Sequence, residues 1–191
     1  MKIGIVGSHC VGKTTLAKAL SQHLSLPLIE EQLRSSQRQF LEIGYPTLNS
    51  IINTMWYPHF VFDLIRRQIE CEDKESDSFI SDRTVMDYYI YYQHLSTAPV
   101  SQKEILKSVV SDRFSKQYDN IIYLPIAFPI VGDGYRDTDS DFREQMDVHI
   151  LEATKHHEGF FALNAQTVND RVAETLNFLK RRYGTRSIME G

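Results

Sequence analysis

The chain has 191 residues, 42% of them hydrophobic, which is enough for one substantial core and too little for two comfortable ones. Its net charge of -4 and pI near 6.0 provide no basic excess of the kind that binds nucleic acid or anionic membranes. The two cysteines, Cys10 and Cys71, lack the spacing of a disulfide framework or a zinc site, which favours a reducing compartment. No 18 apolar residues run together, so we expect a cytoplasmic protein, outside the membrane, whose partners are small molecules.

Short apolar runs of strand length alternate with longer segments of helical spacing. The runs cover residues 2–6, 26–29, 78–81, 120–125 and 160–163. The clearest helix is the last, whose apolar stripe consists of Val168, Val172, Leu176, Leu179 and Tyr183. This alternation predicts an α/β fold of three layers with a mostly parallel five-stranded sheet, in a single domain over residues 1–191. Ligands of such sheets bind at the carboxyl ends of the strands, so site residues are expected directly after each strand.

The strongest functional signal follows the first predicted strand. Residues 7–15 read GSHCVGKTT, which matches the phosphate-binding pattern GxxxxGK[ST] and runs into a helical pattern. Glycines let the backbone turn so that successive N–H groups converge on phosphate oxygens at a helix N-terminus. Lys13 is expected to reach the β and γ phosphates, and the Thr14 hydroxyl to ligate Mg²⁺. We therefore predict that ATP is bound by Gly7, His9, Cys10, Val11, Gly12, Lys13, Thr14 and Thr15.

Asp82 and Arg83 follow the third predicted strand. A carboxylate at this edge is where a P-loop enzyme holds its metal, so Asp82 is a candidate Mg²⁺ ligand beside Thr14. Capping of the helix that starts at Thr84 is the alternative role for Asp82. Arg83 is suited to bidentate contact with a substrate or a transferring phosphate, and an exposed ion pair is its alternative role.

Two adjacent glutamates, Glu30 and Glu31, follow the second predicted strand, and Arg34 comes one helical turn after Glu31. A carboxylate at that edge could accept a proton from a substrate hydroxyl or hold the hydroxyl by hydrogen bonds. Glu31 is thus a candidate catalytic residue and Arg34 a candidate substrate ligand. The alternative is an acidic first helical turn with a Glu31–Arg34 ion pair, and the pattern does not decide which glutamate faces the site.

Two further segments are expected to contribute to catalysis and to substrate binding. Residues 128–145, rich in Asp, are predicted to form a lid in which Arg136 and Arg143 bring positive charge to phosphoryl oxygens, with a plain acidic surface loop as the alternative. Residues 31–75, between the second and third predicted strands, are predicted to form a helical insert. Within it, Trp56 could stack on a base or a nicotinamide ring, or belong to the ordinary core.

Together these motifs resemble the AAA-like P-loop kinase family that includes the ribosylnicotinamide kinase domain, and more loosely the thymidylate and deoxynucleoside kinases. The resemblance covers most of the chain and includes Glu31-Gln32-Leu33-Arg34 and Asp82-Arg83, with Asp87 four residues after the arginine. It implies a nucleoside-kinase-like fold, a lid whose arginines close over ATP, a substrate-binding role for the helical insert of residues 31–75, and one for Asp87. Thymidylate kinases carry Tyr and Ser where this chain has Thr84 and Asp87, which weakens that specific assignment.

The sequence therefore predicts a kinase that uses ATP and Mg²⁺ to phosphorylate a nucleoside, a nucleoside monophosphate or nicotinamide riboside. The alternative is a regulatory ATP or GTP switch that acts through a partner, although the Asn-Lys-x-Asp motif that binds guanine is absent from the chain. The sequence leaves open the acceptor and whether the chain forms a homodimer.

Overall fold

Five parallel strands form the central sheet of the structure, a computed structural model that describes residues 1–42, 44–45, 47–75, 77–129 and 139–184. The strands are β1 (Lys2–Val6), β2 (Leu28–Ile29), β3 (Phe79–Asp82), β4 (Asn120–Tyr123) and β5 (Phe160–Ala162). Their order is β2-β3-β1-β4-β5, and all four neighbouring pairs run parallel. The prediction of an α/β fold with a mostly parallel five-stranded sheet is confirmed.

Helices cover both faces of the sheet. Within the described residues they are α1 (Lys13–Leu24), α2 (Leu33–Glu42), α3 (Leu48–Ile52), α4 (Tyr57–Lys74), α5 (Val85–Leu95), α6 (Val100–Gln117), α7 (Ser140–Thr154) and α8 (Val168–Tyr183). Successive strand residues point to opposite faces, so Ile122 shares a buried cluster with α1 and α8, and Ile121 shares one with α4 to α7. The result is the predicted three-layer architecture. None of the helices in the described part of the chain has an apolar stretch long enough to cross a bilayer.

The last helix docks through the middle of its apolar stripe. Val172 and Leu179 are buried, whereas Val168 and Tyr183 at the two ends of the helix are partly exposed. The helix packs against α1, which follows the predicted phosphate-binding loop. This contact places Arg171 beside that loop.

A buried polar network fixes α4 within its layer. The fully buried Glu72 carboxylate accepts hydrogen bonds from Tyr118, from Gln68 at 2.8 Å and from Arg113 at 3.1 Å. Burial raises the pKa of Glu72, while the three donors favour its charged form. The network matters for the site because α4 forms one wall of a cavity next to it.

Candidate active site

The loop between β1 and α1 needs glycine at two positions. Gly7 has a φ of +145°, and a Cβ there would lie 2.5 Å from the carbonyl oxygen of Leu124, so a side chain would collide with backbone. Gly12 has a φ of +93° and immediately precedes α1, in a conformation that strains residues with a side chain. The two glycines of the sequence pattern are therefore required by the path of the backbone.

The Lys13 side chain turns back over this loop. Its Nζ donates to the carbonyl oxygens of Gly7 at 2.8 Å and of Ser8 at 2.5 Å. Burial, together with repulsion from the nearby Arg83, lowers the pKa of Lys13 to about 7. An anion in the loop would raise that pKa again, because an opposite charge favours the protonated amine.

Arg143, on α7, holds the next two carbonyl groups of the loop. Its guanidinium donates to the carbonyl oxygens of His9 and Cys10, both at 3.1 Å, and to that of Phe128 at 2.8 Å. The sequence placed Arg143 in a moving lid, but α7 begins at Ser140, inside the predicted lid segment. In the structure Arg143 is a buried residue that fixes the loop.

Arg171, on α8, holds the fifth carbonyl group. Its Nη1 donates to the carbonyl oxygen of Val11 at 2.8 Å, and its Nε donates to that of Ala165 at 2.9 Å. The carbonyl groups of residues 7–11 thus all accept hydrogen bonds from cationic side chains. Because the C=O and N–H of a trans peptide unit point in opposite directions, the N–H groups of residues 10–12 face the other side, where an anion would bind.

Thr14 and Asp82 meet beside this loop. The Thr14 hydroxyl donates to Oδ2 of Asp82 at 2.6 Å. Asp82 is the last residue of β3, and the helix cap considered as its alternative role belongs to Thr84. A hydroxyl and a carboxylate in contact are suited to a Mg²⁺ ion that also takes phosphate and water oxygens. Among the described residues, no cluster of three or more His, Cys, Asp or Glu side chains is arranged to hold a metal without such additional ligands.

A buried ion pair joins Glu31 to Arg83 near the loop, with Nε of Arg83 donating to Oε1 of Glu31. Glu31 precedes α2, which begins at Leu33, so it does not belong to an acidic first helical turn. Its neighbour Glu30 is exposed. The structure thus brings Glu31, rather than Glu30, into the site, whereas the side chain of Arg34 lies outside the described residues.

Asp87 supports the start of α5. Its Oδ2 accepts hydrogen bonds from the Thr84 backbone N–H at 2.9 Å and from the Thr84 hydroxyl at 2.8 Å. Its Oδ1 lies 3.9 Å from Nη1 of Arg83. The side chain is fully buried, and burial raises its pKa. The resemblance implied a substrate ligand, but Asp87 caps a helix and lies behind Arg83.

Two cavities meet at the Glu31–Arg83 ion pair. The first, the loop cavity, is lined by residues 10–15 together with Glu31, Asp82, Phe128 and Pro129. The second, the aromatic cavity, is mostly apolar and extends between α3, α4, α5 and α7; its walls include His9, Leu33, Tyr57, Phe60, Arg83, Tyr88, Tyr91 and Phe142. Both linings include residues that follow the carboxyl ends of strands, as the parallel topology predicts.

The ring that lines the aromatic cavity at this point is that of Tyr57, whereas the sequence analysis proposed Trp56. Trp56 is 42% exposed, and its ring contacts His59 at a centroid distance of 5.6 Å. The adjacent Tyr57 is buried and lines the cavity. Consecutive side chains near a helix start point in different directions, so only one of the two rings can face the cavity. In the same way Tyr88 and Tyr91 line it on α5, one helical turn apart.

His9 is part of the loop, but its ring lies against the aromatic cavity. Its Nδ1 is 3.0 Å from the hydroxyl oxygen of Tyr91, and its backbone N–H donates to the same oxygen at 3.2 Å. The ring centroid is 6.1 Å from that of Phe142. The sequence assigned His9 to the nucleotide; its backbone belongs to the loop, whereas its imidazole lies on the side of the second cavity.

Sequence reasoning missed Asp147 and Arg171. Asp147, on α7, accepts the Ser8 N–H at 3.4 Å and the Tyr123 hydroxyl at 2.6 Å, and so fixes the loop from a further side. Both missed residues are single charges on helices with many other charges, so nothing in the local sequence distinguishes them. The central part of the predicted lid, residues 130–138 with Arg136, lies outside the described residues.

The sheet order, the glycine loop after β1 and the Thr14–Asp82 contact at the end of β3 define a protein of the P-loop nucleotide-binding class. The chain belongs to the AAA domain family AAA_28, whose sequence model matches residues 2–171. A sequence comparison with curated proteins gave no match.

Three solved structures share the fold at low sequence identity. A NadR protein in complex with NR has a TM-score of 0.71 and 17% identity, over 96% of this chain and 52% of that chain. Deoxyadenosine kinase from M. mycoides with bound dATP has a TM-score of 0.67 and 18% identity, over 94% and 99% of the two chains. Thymidylate kinase from Ehrlichia chaffeensis has a TM-score of 0.59 and 17% identity, over 94% and 98%. The chain thus spans about half of the NadR protein and nearly all of the two kinases.

Replacing Arg171 with Met should destabilise the protein by roughly 2 to 3 kcal/mol, because two carbonyl groups lose charge-assisted hydrogen bonds. Arg181→Met, on the exposed part of the same helix, is the matched control and should stay within about 0.5 kcal/mol of the original protein. Urea unfolding of both variants measures the difference. Equal stability of the two variants would contradict a role for Arg171 in fixing the loop.

Replacing Lys13 with Met should change how stability depends on pH. The amine has a pKa of about 7 in the folded protein and 10.5 when unperturbed, so between these values the unfolded chain binds more protons and stability rises with pH. Lys13→Met lacks this contribution. In urea unfolding without nucleotide, the stability of the unmodified protein relative to Lys13→Met should therefore increase from about pH 7 to about pH 9. A constant difference would show that the pKa is not lowered.

Proposed function

We propose that the chain is an ATP- and Mg²⁺-dependent kinase that phosphorylates a small molecule, namely a nucleoside, a nucleoside monophosphate or nicotinamide riboside. The observation that carries this proposal is the pair of cavities that meet at the Glu31–Arg83 ion pair. Transfer between two molecules requires that both are held with their reacting atoms in contact. A protein that only hydrolyses its nucleotide has no need of an apolar cavity beside the phosphate-binding loop.

The loop cavity would hold the donor. Residues 10–15 supply backbone N–H groups and the Lys13 amine for the phosphates, and Thr14 and Asp82 are suited to hold Mg²⁺. When bound, the metal would neutralise phosphate charge and orient the transferring group. The lowered pKa of Lys13 fits this role, since a buried amine gains a favourable partner when anionic phosphates enter.

The aromatic cavity would hold the acceptor. Tyr57, Phe60 and Tyr91 offer ring surfaces against which a planar base or a nicotinamide can pack. The NadR protein of similar fold was solved with NR and the deoxyadenosine kinase with dATP, which supports a nucleoside-type acceptor for this chain. Trp56, on the outer side, is no longer proposed as a substrate contact.

Glu31 and Arg83 lie where the two molecules would meet. For an acceptor that attacks through a hydroxyl, the Glu31 carboxylate can hold that hydroxyl and take its proton while the new O–P bond forms and the bond to the ADP leaving group breaks. Arg83, kept in place by Glu31 and by Asp87 at 3.9 Å, presents positive charge to the transferring phosphoryl group. Catalysis then consists of positioning and charge neutralisation.

We extend the proposal to the lid and to the location of the protein. The part of residues 128–145 that precedes α7 would close over ATP and bring Arg136 to its phosphates. Arg143 would contribute through its contacts with the loop, since its guanidinium already donates to the carbonyl oxygens of His9 and Cys10, and also to that of Phe128. Cys10 and Cys71 are free thiols, which fits a cytoplasmic protein.

The proposal is tested by incubating the purified protein with Mg²⁺-ATP and a panel of acceptors, and by detecting products by mass. The panel contains nicotinamide riboside, nucleosides, and ribo- and deoxynucleoside monophosphates. We expect one class of acceptor to gain 80 Da per phosphate (about the mass of HPO₃), and no product with a folded Lys13→Ala variant. Nucleotide binding with slow hydrolysis and no phosphorylated acceptor would overturn the proposal in favour of a nucleotide switch.

Replacing Glu31 with Gln should lower kcat for a hydroxyl acceptor by at least about 100-fold, because the amide cannot take the proton of the acceptor hydroxyl. Glu30→Gln, at the exposed neighbouring residue, is the matched control and should change kcat by less than about 2-fold. Steady-state kinetics with the best acceptor of the panel, together with the melting temperatures of both variants, separates catalysis from folding. An equal kcat for the two variants would remove Glu31 from the mechanism.

A further inference from the structure

Two histidine rings stack between α5 and α7, outside both cavities of the candidate active site. His94 and His149 have a centroid distance of 3.9 Å and an interplanar angle of 25°. The linings of the loop cavity and the aromatic cavity contain neither residue. We refer to these two rings as the histidine pair. His94 is exposed and His149 is half-buried, so protons reach the pair directly from the solvent.

The histidine pair lies at one end of the contact between α5 and α7. These helices pack against each other, and a second ring contact joins Tyr91 to Phe142 at a centroid distance of 6.2 Å. Tyr91 lies one helical turn before His94, and Phe142 lies about two turns before His149. The two ring contacts therefore follow each other along both helices. The Tyr91–Phe142 contact is at the aromatic cavity, and the histidine pair is further away from it.

The part of α7 between these two contacts fixes the phosphate-binding loop. Arg143 donates to two carbonyl oxygens of the loop, and Asp147 accepts one of its backbone N–H groups. Asp147 precedes His149 by only two residues. The position of α7 against α5 therefore determines where these two side chains meet the loop. The histidine pair is one of the contacts that set this position.

A lysine faces the histidine pair from α6. The Nζ of Lys103 donates to the carbonyl oxygens of Gln93 at 2.9 Å and of Ser96 at 2.6 Å, on either side of His94 in the chain. Partial burial, the neighbouring His149 and Lys103 together lower the pKa of His94. A proton on His94 thus meets positive charge from α6 and, once His149 is charged, from α7 as well.

The charged groups near His149 on its own helix are mainly acidic. Asp141 and Glu144 line a shallow groove together with His149. Glu152 follows one helical turn after His149, and a neighbouring lysine already pairs with it. We therefore expect the pair to take its first proton on His149 and its second on His94, as a coupled pair of titrating groups.

We propose that the histidine pair is an acid-sensitive switch: while at least one ring is neutral, the stack holds α7 where it fixes the phosphate-binding loop, and a second proton separates the rings and weakens phosphate binding. Two charged imidazole rings in contact repel each other, whereas a neutral ring can stack. The effect on phosphates rests on the proposed function, since it takes the loop as the site of the donor. By linkage, a nucleotide in the loop opposes the second proton.

Urea unfolding without nucleotide, from about pH 7.5 to about pH 5, tests whether the pair titrates in this way. His94→Phe keeps a flat ring on His149 but carries no charge. Because the pKa of His94 is lowered from 6.5 in the folded protein, the unfolded chain binds more protons below about pH 7. The unmodified protein should therefore lose stability relative to His94→Phe as the pH falls. A constant difference would overturn the inference.

Two further variants complete this comparison. His149→Phe removes the other half of the pair and should behave like His94→Phe, which guards against a defect peculiar to one substitution. His156→Phe is the matched control, because His156 is exposed just after α7 and has no ring contact in the part of the chain that the structure describes. It should keep the pH dependence of the unmodified protein. Circular dichroism checks that all variants are folded at both ends of the pH range.

Calorimetric binding of Mg²⁺-ADP at about pH 7.5 and about pH 5.5 tests the connection to the loop. Titration of ADP itself is common to all variants, so their comparison isolates the pair. Over this range the dissociation constant of the unmodified protein and of His156→Phe should rise at least about 5-fold more than that of His94→Phe. An equal rise in all three would make the pair a packing contact only and would overturn the switch.

The binding experiment also separates the inference from the proposed function. Mg²⁺-ADP that binds at about pH 7.5 with the same pH response in every variant contradicts the switch alone, because the donor site is then intact. A folded protein that binds no ADP at this pH contradicts the proposed function, and the effect of the pair on phosphate binding is rejected with it.

Discussion

The candidate active site depends on one constraint, which is that the carbonyl groups of the loop are turned away from the anion it would bind. Cations from three parts of the chain impose this: Lys13 from α1, Arg143 from α7 and Arg171 from α8. The hydrogen bonds from the two arginines join a charged donor to a backbone oxygen and are therefore stronger than neutral ones, and the Lys13 amine, whose pKa is lowered to about 7, donates two more. The loop conformation is thus held by tertiary contacts before any ligand arrives, which is the condition for electrostatic preorganisation.

A second set of contacts that organises the site involves charged side chains at the end of β3 and just after it. Asp82 contacts Thr14, Arg83 is paired with Glu31, and Asp87 lies behind Arg83 while capping α5. Burying an arginine is costly unless its charge is paired and its N–H groups are bonded. The carboxylates of Glu31 and Asp87 offset this cost, and they fix the guanidinium of Arg83 between the two cavities. The capping contact of Asp87 couples this arrangement to the start of the helix that carries Tyr88 and Tyr91.

Local patterns in the sequence predicted the loop, the five strands and the acidic strand ends, because each has a short-range cause: backbone turns, strand alternation and the common edge of a parallel sheet. Contacts between distant residues were not predictable. Arg171 bonds to Val11 across 160 residues, and nothing in the stripe of the last helix distinguishes it. Trp56 was chosen over Tyr57 because a sequence pattern does not show which of two adjacent aromatic side chains faces a cavity. For Asp87, by contrast, the spacing from Thr84 matches a capping box, so its structural role could have been recognised.

The shared contact between His9 and Tyr91 connects the aromatic cavity to the phosphate-binding loop. One hydroxyl group bonds both the backbone N–H and the ring of His9, so a wall of the aromatic cavity and the phosphate-binding loop have an atom in common. A ligand that displaced Tyr91 would break its hydrogen bonds to His9 of the loop, and a ligand that moved His9 would break the same bonds. The resulting interaction energy is the same in both directions, so the molecule that binds second gains or loses affinity by one factor, irrespective of the order of addition.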